Sequence, residues 1–456
     1  MKDMRIQVNP FEMLSVLEYT GCQEVNEHGT VFISGIIESE KKETYLRKAA
    51  QETWVQVYAY DEEDRENILF YGRLTNFKIR EEGGGCVMEL QLYTGTKRLD
   101  YETHIRTFQR GGYSYQEITE QINSKYQDAD IIMTVGKGSS IPGFMMQYEE
   151  TDWQFLKRLA STLNTVLVPD CGVEGEKYYF GIPDRRASAE LEAEHYTVCQ
   201  EYGLSAKGSP GNTMCYVVES RSILTLGSYT MFQGNKLWIW KIDTAWKGDE
   251  LYHKYYLKSK DGFQVPRQYH DTIIGLSLLG TVKAAEGERV QIAITSDENQ
   301  ESGQCWFDFS TIYSSPDGAG WYCMPEVGDT IRLYCPSENE SNAYVTSAVH
   351  ENKGNGIRTN PAHKIWRNPQ GKEIRMTPEK ILLSNNNGMS VELIDGQGIK
   401  ISSNGSIAIK ASDNISISSN ASLEMAAANK IVLKQGDTVM ELSDGIKLSG
   451  SNINLQ

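Results

Sequence analysis

Residues 390–433 read SVELIDGQGIKISSNGSIAIKASDNISISSNASLEMAAANKIVL, and within them two apolar residues flanking a single position return every eight residues. The pairs are Val391/Leu393, Ile399/Ile401, Ile407/Ile409, Ile415/Ile417, Leu423/Met425 and Ile431/Leu433. Met440/Leu442, Ile446/Leu448 and Ile453/Leu455 continue the series with less even spacing. Residues two apart share one face of a strand. Polar turn formers such as Ser402-Ser403-Asn404-Gly405 and Ser418-Ser419-Asn420 lie between the pairs, so each octad reads as one short strand and one turn. A fixed period of this kind predicts a β-solenoid.

An octad is short for a solenoid built by one chain. Burying two aliphatic side chains offsets less than ordering eight residues of backbone costs, and a single-chain coil takes about twenty residues. The period therefore describes one side of a prism whose other sides come from other copies. A three-chain β-helix is expected over 373–456, with the apolar faces on a common axis and strand edges satisfied between chains. The expected axial residues are the six even pairs together with Ile446, Leu448, Ile453 and Leu455.

The 456 residues are too many for one core, and about three domains are expected. A net charge of −16 disfavours gripping nucleic acid or an anionic membrane surface. From Lys372 onward 8 Lys and Arg face 9 Asp and Glu, so the acidity belongs to the preceding part. The eight cysteines are scattered without a CxxC pair, as expected of small buried hydrophobes in a reducing compartment. The N-terminal MKDMRIQVNPFEMLSVLEY has no continuous apolar stretch of the signal-peptide kind, and no run reaches bilayer-spanning length.

Taken in order, residues 1–268 are dominated by strand patterns, among them Trp54–Tyr60, Val87–Tyr93 and Lys236–Ile242, the last expected to place Trp238 and Trp240 on one face. Gly83-Gly84-Gly85 reads as a hairpin turn, since no Lys-Ser/Thr follows it. Two helices are predicted near 114–126 and 152–162, each opened by a capping box, Ser114-x-x-Glu117 and Thr151-x-x-Gln154. Residues 273–350 offer five strands in about seventy-five residues, fitting a small Greek-key barrel of the OB type. Residues 351–372, with Asn355-Gly356, Asn360-Pro361 and Asn368-Pro369, read as a linker. After Trp366 there is no aromatic residue and after Pro378 no proline, which leaves thin aliphatic side chains for a narrow axis.

Tyr148-Glu149-Glu150-Thr151-Asp152-Trp153-Gln154-Phe155-Leu156-Lys157-Arg158-Leu159 resembles a characteristic segment of the VgrG family, the hub-and-spike proteins of contractile injection systems. Thr107-Phe108-Gln109 is a second, weaker similarity, and Pro325-Glu326-Val327-Gly328-Asp329-Thr330-Ile331 looks like that family's Pro-x-x-Gly-Asp signature. The resemblance implies a mainly β chain with two tandem β-barrel hub domains, an OB-fold neck and a trimeric β-helix needle. It further implies a homotrimer that adapts a hexameric tail tube to a threefold spike. The implied partners are the tube protein, baseplate proteins, a PAAR-type tip protein at the C-terminal end and, if any, a non-covalently carried effector. Synthesis and assembly in the bacterial cytoplasm and delivery in an injection particle follow from the same resemblance; phage, bacteriocin and type VI apparatus all remain compatible.

Two family features are missing. The linker leaves no room for a lysozyme domain, and no histidine follows His363 to make a His-x-His metal tip. The seven histidines lack metal-ligand spacing, and there is no GxSxG elbow. A non-enzymatic protein without cofactor or metal is expected. The alternatives are a glycan-binding trimeric tail fibre or adhesin, and a peptidoglycan hydrolase.

Overall fold

The computed structural model describes residues 5–452 apart from 61–65, 83–84, 192, 201–213, 300–301, 349 and 351–355. The turn expected at Gly83-Gly84 and the axial residues Ile453 and Leu455 lie outside the described residues. Contacts divide the chain into two compact units, residues 1–351 and 352–456.

The first unit opens with β1 (Arg5–Asn9), β2 (Ser15–Glu24), β3 (Thr30–Ile37), helix α1 (Lys42–Ala49), β4 (Trp54–Tyr60), β5 (Glu66–Glu82) and β6 (Gly85–Tyr93). Strict alternation buries Val55, Val57 and Ala59 from β4 and Cys86, Met88, Leu90 and Leu92 from β6, the period of a sheet with one covered face. They join Ile6, Val8, Tyr19 and Ile33 in one apolar cluster. Helix α1 had no signature in the sequence, because Tyr45 is its one buried residue and no apolar stripe marks it.

Next come β7 (Thr103–Phe108), α2 (Tyr115–Asn123), β8 (Asp130–Met133), β9 (Met145–Thr151), α3 (Asp152–Ser161), β10 (Leu167–Pro169) and β11 (Lys177–Phe180). Both capping boxes are formed, with the Ser114 hydroxyl accepting from the Glu117 amide and the Thr151 hydroxyl from the Gln154 amide. The helices pack around Phe108, Trp153, Phe155 and Tyr178, the two phenylalanines stacked at 5.4 Å.

β12 (Tyr196–Gln200), β13 (Met214–Ser220), β14 (Tyr229–Phe232), β15 (Asn235–Lys247) and β16 (Glu250–Lys258) extend the first sheet. Its path runs β1-β4-β5-β6-β3-β2-β15-β16-β13-β12, with β14 beside β15. The two halves meet where Thr20–Glu24 of β2 pairs with Lys241–Ala245 of β15, and the second half has its own core around Val218, Ile239, Tyr255 and Leu257. The alternation expected for Lys236–Ile242 is interrupted by a bulge between Ile239 and Lys241, which turns both Ile239 and Ile242 inward; Leu237 and Trp238 are buried as well.

β17 (Ser277–Glu286), β18 (Arg289–Ile294), β19 (Trp306–Asp308), β20 (Thr330–Tyr334) and β21 (Tyr344–Thr346) form a five-stranded antiparallel sheet in the order β19-β18-β17-β20-β21. Val282, Ile292, Ile331 and Leu333 fill its core.

The second unit contains β22 (Lys364–Arg367), β23 (Glu373–Met376), β24 (Lys380–Ser384), β25 (Ser390–Ile394) and β26 (Gly398–Ser402), then β27 (Ile431–Gln435), β28 (Thr438–Leu442) and β29 (Ile446–Ser449). β22 lies within the stretch read as linker. Each set is an antiparallel meander in sequence order. Residues 403–430, which carry the most regular octads, form no strand in the single chain.

Candidate functional site

The octads of the second unit are aligned by register. Ile374 of β23 stands opposite Leu383 of β24, Leu383 opposite Val391 of β25, and Val391 opposite Ile401 of β26. A parallel row runs Met376, Ile381, Leu393, Ile399 through the same three pairings. Between these rows, on the opposite face, Arg375, Leu382, Glu392 and Lys400 follow one another, and Lys380 pairs with Glu392 at 2.6 Å. The meander is thus apolar on one side and charged on the other, as alternation dictates. In β27–β29, Ile431 faces Leu442 and Leu442 faces Ile446, while Leu433 faces Met440 and Met440 faces Leu448.

That apolar face is uncovered in one chain. Ile399 is 73% exposed and Ile409 is 74% exposed, and Leu393, Ile401, Ile407, Ile415, Ile417, Leu423, Met425, Leu433, Ile446 and Leu448 are exposed too. Val391 and Ile431 are half-buried. Contiguous apolar area of this kind marks an interaction surface.

A second constellation escaped the sequence reading. The loop after β18 lies along the outer edge of β7. Glu298 donates its amide to the Ile105 carbonyl at 2.9 Å and accepts the Ile105 amide on Oε1 at 2.9 Å. Asp297 accepts the Thr107 amide at 2.9 Å, and Asn299 donates to the Thr107 carbonyl at 2.7 Å. Ile105 and Thr107 present their backbone to the same edge because they are two apart. Gln109 completes the seam by accepting the Gly303 amide at 2.8 Å.

Buried charges reinforce this joint. Arg106 donates to Asp152 at 2.6 Å, to Gln147 at 3.1 Å and to Glu298 at 3.3 Å. Arg158 grips Glu150 bidentately at 2.8 and 2.7 Å, donates to the Met146 carbonyl at 2.6 Å, and also pairs with Glu340 beside β21. A bulge at Glu149, whose φ is 51°, shifts the register so that His104 opposes Glu150 and Ile105 opposes Tyr148, turning Glu150 inward. In the sequence Glu150 stands only as the residue before the Thr151 helix cap, and nothing beside it points to Glu340. Glu298 is held down to about 2: burial works against its charge, but the Ile105 amide, His104 and Arg106 outweigh it.

Solved structures share this arrangement of parts. The E. coli c3393 protein, described as a type VI secretion component structurally similar to T4 bacteriophage tail proteins gp27 and gp5, aligns over 76% of this chain and 100% of its own, at 14% identity and TM-score 0.52. A chain of the half-lidded Francisella PdpA-VgrG complex aligns over 88% of this chain and 87% of its own, at 10% identity and TM-score 0.58. The lidded form of that complex gives 88%, 80%, 11% and 0.57 in the same order. The chain has a VgrG-like hub-spike fold. No family model and no curated protein matches its sequence.

Within this VgrG-like fold His28 has the hydroxyl–imidazole–carboxylate grouping that a hydrolase uses, with Nδ1 at 3.0 Å from the Thr96 hydroxyl and Nε2 at 3.5 Å from Asp100. Thr96 is 1% exposed, and Trp153 lies 4.9 Å from the imidazole. A nucleophile sealed in this way has no route to a polymer. Burial lowers the His28 pKa, and the hydrogen bond from His28 holds Asp100 well below the usual carboxylate range. Among the described residues no three His, Cys, Asp or Glu side chains are grouped to hold a metal ion.

Proposed function

We propose that this chain is the trimeric hub and spike of a contractile injection apparatus. The observation that carries it is the register of the apolar rows: Ile374-Leu383-Val391-Ile401 and Met376-Ile381-Leu393-Ile399 form one continuous face, on which all but the half-buried Ile374 and Val391 are exposed. Three such faces brought together on an axis give a dry core with the charged rows outward, and residues 403–430 acquire strand partners from neighbouring copies. The axial residues of this reading, among those described, are the six even pairs from Val391/Leu393 to Ile431/Leu433 together with Ile446 and Leu448. The two halves of the first sheet are a pair of barrel-like hub domains, three chains presenting six comparable surfaces to a tail tube.

The spike acts mechanically. Sheath contraction drives the tube and the hub forward. The Arg106 and Arg158 ion pairs hold the five-stranded OB-type neck to the hub under that load, and the needle enters the target envelope. Tube and baseplate proteins, and a PAAR-type tip over the last strand edges, are the partners of this reading. It involves no nucleic acid and no catalysis, and places assembly in the bacterial cytoplasm before outward delivery. Native mass spectrometry of the purified chain tests it first: a trimer is expected, and a monomer at micromolar concentration overturns it. Electron microscopy of particles made with and without the gene then asks whether the spike end is lost.

A further inference from the structure

We propose that Cys199 and Cys215 are an oxidisable pair, a dithiol that closes to an intrachain disulfide once the chain meets a disulfide oxidant. Register brings them together: in the antiparallel pairing of β12 with β13 they stand directly opposite each other. None of the other cysteines faces a second cysteine across a strand pairing among the described residues. Opposed residues of an antiparallel pair share a face and hold their Cα atoms about 4.5–5.5 Å apart. A disulfide spans about 4.4–6.8 Å between Cα atoms, so closure needs rotation of two side chains and no new backbone path. The neighbouring rings agree with this register. Tyr196 opposes Val218 and Val198 opposes Tyr216, and Tyr196 packs on Tyr216 at 6.1 Å and on Phe232 at 5.2 Å. Those side chains therefore lie on one face of the strand pair and both thiols on the other.

The two thiols are unequal, and that sets the order of the chemistry. Cys199 is exposed, whereas Cys215 is 8% exposed. With a low-molecular-weight disulfide as oxidant, Cys199 loses its proton to water and its thiolate attacks one sulfur of the oxidant, expelling the first thiolate and leaving a mixed disulfide on Cys199. Cys215 then loses its proton and attacks the Cys199 sulfur, expelling the second thiolate. Each leaving thiolate takes up a proton, so two cysteine thiols become one disulfide while the oxidant becomes two thiols. Both cysteines are thiols in the structure, the state that a reducing compartment maintains. The link has a strand to hold. All five residues of β12 are exposed, and among the described residues β12 is paired with β13 alone, while β13 is also paired with β16. A strand held on one side opens most easily, and a covalent tie to the inner strand prevents it. The timing rests on the hub-and-spike reading above, in which assembly inside the cell precedes oxidation and the tie sets after delivery; the pair itself does not.

The test uses the full chain, purified with reductant, moved into oxidised glutathione, quenched with acid and digested without reductant for peptide mapping by mass spectrometry. A peptide joining Cys199 to Cys215, lighter than its reduced parts by two hydrogens, is expected as the main oxidised product. Cys215→Ala should lose it and keep glutathione on Cys199. Cys199→Ser should carry no glutathione on Cys215, and glutathione there overturns the order of attack. A parent chain that retains glutathione on Cys199 without the joined peptide overturns the pair, and this parent map decides the matter even where a variant fails to fold. Native mass separates the two readings: a joined peptide from a monomeric chain keeps the pair and overturns the trimeric spike, and a trimer without the joined peptide does the reverse. Maps of the chain from cell lysate and from released particles, alkylated at once, check the timing. The joined peptide is expected from released particles only, and its presence in both overturns the delayed setting.

Discussion

Arg158 and Glu340 stand 182 residues apart in sequence and form an ion pair with side chains 4% and 3% exposed. One guanidinium thereby ties α3 to the 3-10 turn Glu340–Asn342, while its other face holds Glu150. Replacing Arg158 by Met leaves two buried carboxylates without their cation. Removing one partner of such a pair costs about 3–5 kcal/mol. Arg158→Met is expected to lower the unfolding free energy by that order, and the urea midpoint in proportion. Arg158→Lys should fall between, since it keeps the charge but loses the fork. Urea titration of the three proteins checks the order, and an unchanged midpoint in Arg158→Met would remove the joint from the mechanism.

Acid should weaken the fold in two steps. A group whose folded pKa is lowered contributes stability above its unfolded pKa and loses it as pH falls toward the folded value. Burial brings His253 down to about 4 from 6.5, so its contribution is whole above about pH 6.5 and is lost below it. Glu298, at about 2 against an ordinary 4.5, loses its contribution between those values. Urea midpoints from neutral pH to about 3 should show His253→Gln shrinking the upper step and Glu298→Gln the lower. His28, also lowered by burial, keeps the upper step from vanishing. A curve identical to the parent in both variants would refute the assignment.

The octads were legible because alternation has period two: Val391 and Leu393 had to share a face, and the meander pairs them with Ile401 and Ile399. The capping boxes were legible because their chemistry is local. The joint was not. Glu150 and Arg158 lie within the segment that carries the family resemblance, yet what they do depends on Glu340, Asp297 and Glu298, which only the fold brings near. Helix α1 lacked a stripe, and the bulges at Glu149 and between Ile239 and Lys241 broke alternation that sequence alone presents as regular. Residues 403–430 are regular in sequence yet carry no strand; on the proposed trimeric reading their pairing partners belong to other copies.

The His28, Thr96 and Asp100 cluster predicts stability without hydrolysis. Thr96→Ala removes a buried partner of His28, which costs about 1–3 kcal/mol. Thermal melting should register that loss. A zymogram on cell-wall substrate should show no clearing with either protein; clearing by the parent that Thr96→Ala abolishes would make the cluster an active site.

The octads can be tested residue by residue, because neighbouring positions on a strand point to opposite faces. Ile407 and Ile409 are 57% and 74% exposed in the single chain, and Ala408 lies between them. If three copies bury the isoleucines on an axis, Ile407→Asp with Ile409→Asp places two carboxylates per chain in a narrow dry core. Each lacks a cation, and such groups are destabilising by several kcal/mol apiece. Heat- and SDS-resistant trimers should then disappear. Ala408→Asp puts its carboxylate on the outer, polar face and should leave them intact. Equal sensitivity at 407, 408 and 409 would mean that the stretch is not a strand, and resistance at all three would mean that the needle axis lies elsewhere.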